Sequence, residues 1–92
     1  MSFTNTGSVL IDFWSPKCGP CLQLSPIIDE IKKERKDIEV VKINVLDNLD
    51  EAIKYGVRSL PTLIFIKDGE VVKRVVGLQS KEDIIEIIEE IF

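Results

Sequence analysis

The sequence predicts an α/β fold with elements in the order β-α-β-α-β-β-α, a small mixed sheet covered by helices on both faces. Three patterns predict it: a continuous apolar run at residues 9–14, a helical repeat of apolar residues after it, and an Asp-Gly turn between two later strand-like runs.

The first run, Val9-Leu10-Ile11-Asp12-Phe13-Trp14, is too continuous for a half-wet strand and reads as a central strand buried on both faces, interrupted only by Asp12. From Gly19 to about Lys36, Leu24, Ile27, Ile28 and Ile31 recur at helical spacing, and Asp29 is placed to meet Lys33 four residues on. Pro26 lies inside this helix and, having no N–H, is expected to bend it. Residues 38–45 alternate in part and read as a second strand. A helix joins it to the first, so the two are expected to run parallel in a right-handed βαβ unit.

Asp47 or Asn48 is placed to cap a short helix through Tyr55, with Gly56 as its stop. Residues 62–66 and 71–76 read as two antiparallel strands joined through Lys67-Asp68-Gly69-Glu70, because Asp-Gly favours the two-residue hairpin turn. Ser80, followed three residues later by Asp83, resembles a capping box, and Ile84, Ile87, Ile88 and Ile91 give a closing helix one apolar stripe. Each amphipathic helix needs a sheet face to cover.

Ninety-two residues suit one domain, expected to span 1–92, and a content of 45% hydrophobic and 30% charged residues is that of an ordinary folded chain. The net charge of -4 excludes a nucleic-acid partner, because Lys32-Lys33 and Lys73-Arg74 do not extend into a basic stripe. Residues 1–7 lack a cationic segment followed by an apolar one, and no apolar run approaches transmembrane length. The expected setting is the cytoplasm, with no membrane partner. A disulfide across a three-residue step there would remove little chain entropy, so redox work or metal binding is left for the two cysteines.

Those cysteines, Cys18 and Cys21, flank Gly19-Pro20 where the first strand runs into the first helix. One helical turn separates them by about 4.5 Å of rise, inside the roughly 4.4–6.8 Å between Cα atoms that a disulfide requires. A helix start offers unpaired N–H groups and the positive end of the macrodipole, which stabilise Cys18 as the attacking thiolate. The metal alternative needs four protein ligands in a structural zinc site, and the chain has 0 His and no third cysteine. Only a dimer sharing one site would supply them. Asp12, a carboxyl in a buried strand, is expected to have a raised pKa from desolvation, unless it lies at a solvent edge.

Phe13-Trp14-Ser15-Pro16-Lys17-Cys18-Gly19-Pro20-Cys21, Pro26, Lys42 and Tyr55-Gly56-Val57-Arg58-Ser59-Leu60-Pro61-Thr62 together resemble the thioredoxin family. The resemblance runs from about Val9 to Phe92, and the strand and helix that come first in longer thioredoxins have no counterpart in it. It implies the minimal thioredoxin fold, a mixed four-stranded sheet in the order 4-3-1-2 with strand 3 antiparallel to the rest. It implies a protein-disulfide reductase in which Cys18 attacks a substrate disulfide and Cys21 resolves the mixed disulfide. No bound cofactor or metal is implied beyond the reversible Cys18–Cys21 disulfide. The implied partners are oxidised protein substrates and a thioredoxin reductase as electron donor, with the protein a monomer.

The resemblance makes Asp12 the general base for Cys21, and places Lys42 near this acid. The plain alternative for Lys42 is a solvated strand residue. It also implies that Pro61 is cis and that Leu60 before it pairs with an extended substrate segment. Sequence alone favours a trans turn proline there. Gly77 matches a glycine that leaves room for a partner, or simply ends a strand. Trp14, Gly19 and Pro20 complete the implied substrate surface, with core packing the alternative for Trp14. Lys17 departs from the family, which usually has an aromatic residue there. Its cation is expected to favour the Cys18 thiolate and to change partner choice.

Two other readings compete. A glutathione-dependent, glutaredoxin-like enzyme is disfavoured by Gly19-Pro20, where that family usually carries a tyrosine. An interaction module would grip partners through Leu60, Pro61 and Gly77 with the cysteines incidental.

Overall fold

The computed structural model describes residues 7–92, so the polar lead-in at residues 1–6 lies outside the described residues. The elements are β1 (Ser8–Trp14), α1 (Gly19–Glu34), β2 (Glu39–Asn44), α2 (Leu49–Lys54), β3 (Thr62–Lys67), β4 (Glu70–Val76) and α3 (Lys81–Ile91). The sheet runs β2-β1-β3-β4, with β1 parallel to β2 and antiparallel to β3, and β3 antiparallel to β4. This is the implied order with its single reversed strand.

Side-chain alternation along β1 splits the interior into two layers. Leu10 joins Leu24, Ile28, Ile31, Leu63, Phe65, Ile84 and Ile88 on the side covered by α1 and α3. Val9, Ile11 and Phe13 join Ile43, Ala52, Ile64 and Ile66 on the side covered by α2. Asp12 shares the parity of Leu10, so it points to the α1 side. Val9 to Phe13 are all fully buried, as a strand between two neighbours and two helical layers must be.

The turns follow their residues. Asp68 and Gly69 both have positive φ, 51° and 87°, the conformation that a two-residue hairpin loop needs and that Asp-Gly tolerates. Gly56, at φ 66°, ends α2 in a Schellman arrangement: its own N–H donates to the Ile53 carbonyl, and the Val57 N–H to that of Ala52. Ser80 caps α3, its hydroxyl accepting the Asp83 N–H at 3.1 Å.

Two local expectations are corrected. Asn48 does occupy the α2 N-cap, but its side chain makes no capping bond and donates back to the Asn44 carbonyl at 3.0 Å. The neighbouring Asn44 carboxamide already accepts the Leu46 N–H at 3.0 Å, so the turn is held by Asn44. Asp29 pairs with Lys42 of β2 at 2.9 Å, where the helical spacing alone suggested Lys33. Lys81 of α3 bridges Glu30 and Glu34 of α1 at 3.0 and 2.6 Å, and Arg35 reaches Glu89 at 3.6 Å, tying the two helices on one side of the sheet.

Candidate active site

The cysteines lie in a loop that the backbone fixes in two steps. Ser15, buried, accepts the Cys18 N–H on its carbonyl and the Lys17 N–H on its hydroxyl, both at 3.1 Å, closing a turn whose second position is Pro16. Proline is pre-set for that position, and a serine hydroxyl can stand in for a backbone acceptor. The chain then enters α1 with Cys18 as N-cap in extended conformation and Pro20 in the first turn, where a missing N–H costs nothing. Ser15 was not singled out from the sequence, although a serine preceding proline at a strand end is a readable turn signal.

Cys18 and Cys21 form a disulfide with Cα atoms 5.2 Å apart. The Cys18 sulfur also accepts the Cys21 N–H at 3.2 Å, so it lies at the open, positive end of a 16-residue helix. No acidic residue occupies the first turn, leaving this pole for the sulfur. Cys18 is half-buried and Cys21 is buried, so an incoming disulfide reaches Cys18 first. Lys17, Gly19 and Pro20 are exposed around them, and Trp14, half-buried, ends the strand behind.

Asp12 is fully buried and neither of its oxygens has a hydrogen-bond partner. Burial pushes its carboxyl from 3.8 up to about 6, against a downward pull from the Lys42 ammonium and with a small upward push from Asp29. The solvent-edge alternative is therefore wrong: β1 is an inner strand. Lys42 lies beside Asp12 in the β1–β2 register, yet its ammonium donates to Ser25 at 2.6 Å and Asp29 at 2.9 Å. It acts on Asp12 through space only. Ser25 and Asp29, four residues apart on one face of α1, were missed as its partners; the i, i+4 spacing was the available signal.

The second half of the site comes from the start of β3 and the end of β4. The Leu60–Pro61 peptide is cis, against the expectation from an isolated sequence and in line with the family resemblance. The pairing of Phe13 with Thr62 sets Pro61 at the Trp14 end of β1, the end from which the cysteine loop departs. Gly77 donates its N–H to the Pro61 carbonyl at 2.9 Å, which joins these two residues into one rim. Its φ of 99° lies where side-chain-bearing residues are rare, so glycine is required by the backbone there. Leu60 is half-buried beside them.

Among the described residues no three His, Cys, Asp or Glu side chains cluster as a metal ion would require. None of the described helices is long and apolar enough to cross a membrane.

Comparison with known proteins agrees with this geometry. The Thioredoxin family profile matches residues 2–90. The chain is 48% identical over 86 residues to the thioredoxin of Bacillus subtilis, spanning 92% of this chain and 83% of that one. It is 51% identical over 78 residues to the thioredoxin of Pyropia yezoensis, spanning 84% and 73%. The solved structure of a mutant thioredoxin from Halobacterium salinarum NRC-1 superposes with a TM-score of 0.86 at 42% identity, covering 92% of this chain and 74% of that one. A buried acid in the strand that leads to a helix-capping cysteine pair, a cis proline opening the third strand and a profile match across nearly all 92 residues have one common explanation: this chain belongs to the thioredoxin family and is a thiol–disulfide oxidoreductase that needs no cofactor beyond its own cysteine pair.

Proposed function

We propose that residues 1–92 act as one domain, a monomeric electron carrier of the cytoplasm that reduces disulfides of proteins and is recharged by a thioredoxin reductase. The observation that carries this reading is the half-buried Cys18 sulfur at the α1 N-cap, bonded to a fully buried partner. The Cys18 thiolate attacks one sulfur of the substrate disulfide, forming a mixed disulfide while the other substrate sulfur leaves as thiolate and takes a proton. Cys21 then loses its proton to Asp12 and attacks the Cys18 sulfur. The second substrate thiolate is released and protonated. Two electrons have passed to the substrate, and the Cys18–Cys21 disulfide remains for the reductase to reopen with two electrons and two protons.

Asp12 suits the role of base because a carboxyl with pKa about 6 is ionised at neutral pH yet poised to take a proton. Lys42 keeps that carboxyl from rising further. Leu60, with its free backbone beside cis Pro61, pairs with an extended substrate segment, and Gly77 leaves space for it. Trp14, Lys17, Gly19 and Pro20 form the remaining contact surface. A thiol pair that works as a reductant must be returned to the reduced state, which suits a reducing compartment. Gly19-Pro20 between the cysteines argues against a glutathione-dependent enzyme, and the helix-capped sulfur against a mere interaction module.

The test is trapping. Cys21→Ser should accumulate mixed disulfides with protein substrates through Cys18, resolved by mass spectrometry, and Cys18→Ser should not. The reverse pattern would overturn the assignment of roles. Retained complexes after both cysteines become serine would favour the interaction module.

A further inference from the structure

Lys42 stands between two sets of oxygens. In the β1–β2 register it is the neighbour of Asp12, so the two side chains leave the sheet on the same side, the one covered by α1. Both Asp12 oxygens lack a hydrogen-bond partner, which is costly for a buried acceptor and most costly for a charged one. The ammonium that would satisfy them is turned away. It donates to the Ser25 hydroxyl at 2.6 Å and to the Asp29 carboxylate at 2.9 Å.

Ser25 and Asp29, four residues apart, lie on one face of α1. The hydroxyl is half-buried and the carboxylate exposed, so the ammonium is drawn toward the helix surface by two acceptors, one of them charged. An opposite charge within about 4–6 Å lowers a carboxyl pKa by about 1–3 units. Burial nonetheless leaves Asp12 at about 6, with Lys42 pulling it down and Asp29 pushing it up. Loosening the hold on Lys42 would strengthen the downward pull. The remaining neighbours add no charge: β3 sets Leu63 opposite Asp12, α1 and α3 contribute Leu24, Ile28, Ile84 and Ile88 to the same layer, and Cys21 is locked in the disulfide.

We infer that Ser25 and Asp29 are positioning residues for disulfide reduction: they hold the Lys42 ammonium off Asp12, so that Asp12 stays basic enough to accept the Cys21 proton. The inference rests on the reading of Asp12 as the base and adds the device that sets its strength. Asp29 acts on Asp12 both through Lys42 and by its own charge. Ser25 is uncharged, so it acts on Asp12 only by where it keeps Lys42.

Carbon-13 NMR of the Asp12 carboxyl in the oxidised protein reads this directly, because cysteines in a disulfide do not titrate. Ser25→Ala should lower the Asp12 titration midpoint by about 1 unit, the low end of what an opposite charge does to a carboxyl. Alanine is the better helix former, so α1 survives the change. Lys42→Met should raise the midpoint, and adding Ser25→Ala to it should produce no further shift. Asp29→Ala should lower the midpoint, and by less once Lys42 is methionine, because only its direct charge is then lost. No shift or an upward one in Ser25→Ala would overturn the inference, and so would a downward shift that persists without Lys42. An equal effect of Asp29→Ala in both backgrounds would overturn the part given to Asp29. Stopped-flow resolution of a mixed disulfide then reads the consequence: in Ser25→Ala the pH midpoint of the rate should fall together with that of the carboxyl. An unmoved carboxyl overturns the positioning role alone and leaves Asp12 as base. A carboxyl midpoint that falls while the rate profile stays in place would overturn Asp12 as base, and this inference with it.

Discussion

Asp12 should make the protein less stable as pH rises, and replacing it with asparagine should remove that loss. The carboxyl is fully buried without a hydrogen-bond partner, and burial moves its pKa from 3.8 to about 6. Between those values the folded chain holds a proton at this position that the unfolded chain has released. Unfolding free energy therefore falls as pH rises through this window and is level above it. At 1.36 kcal/mol per pH unit, the displacement corresponds to about 3 kcal/mol. Asp12→Asn keeps the size and a neutral polar group, so it should match the wild type near pH 4 and exceed it by about 3 kcal/mol at pH 8. With urea m-values of about 1–3 kcal/mol/M for small proteins, the midpoint should rise by roughly 1–3 M. The assay is urea unfolding of both disulfide-intact proteins from pH 4 to 8 at fixed ionic strength. Taking the difference between the two chains cancels other titrating groups, such as Asp37, which its Arg35 partner holds below the usual carboxylate value. A difference that is constant with pH, or that shrinks as pH rises, would refute the argument.

The same substitution should slow substrate release. Asp12→Asn is expected to lower turnover at pH 7 by about 100-fold, the low end of what a positioned acid–base group supplies, and to abolish the fall in wild-type rate as pH drops through about 6. Stopped-flow decay of the mixed disulfide measures this, and an unchanged rate would remove Asp12 from the mechanism. Lys17→Trp should raise the Cys18 pKa by removing the cation that precedes it in sequence, checked by thiolate absorbance; no shift or a downward one would reject that role. Gly77→Ala should destabilise by about 1–3 kcal/mol through backbone strain alone, because its φ is 99° and a Cβ there meets no atom within 4 Å. A thermal melt indistinguishable from wild type would contradict it.

Element types were legible because each rests on local spacing. The continuous run at 9–14 could only be an inner strand, and the β-bulge between Phe65 and Ile66 left the β3–β4 hairpin intact because Asp68-Gly69 fixes its turn. Side-chain partners were less legible. Asp29 had a helical neighbour at the right spacing, but Lys42 approaches from another element and takes its carboxylate. Asn48 looked like a cap by type, and the preceding turn used its side chain differently.

Residue order alone was enough to locate the thiols and to tell which one begins a helix, since three residues and one helical turn are matters of covalent geometry and local hydrogen bonding. It also favoured a buried Asp12, and the sheet order removed the solvent-edge alternative by placing β1 between β2 and β3. What surrounds these groups came from packing between elements: Lys42 turned from Asp12 to Ser25 and Asp29, and the Gly77 N–H on the Pro61 carbonyl. The Lys42 bonds reach across 17 and 13 positions of chain. Their geometry is set by sheet register and by layer packing, which no short stretch of chain contains.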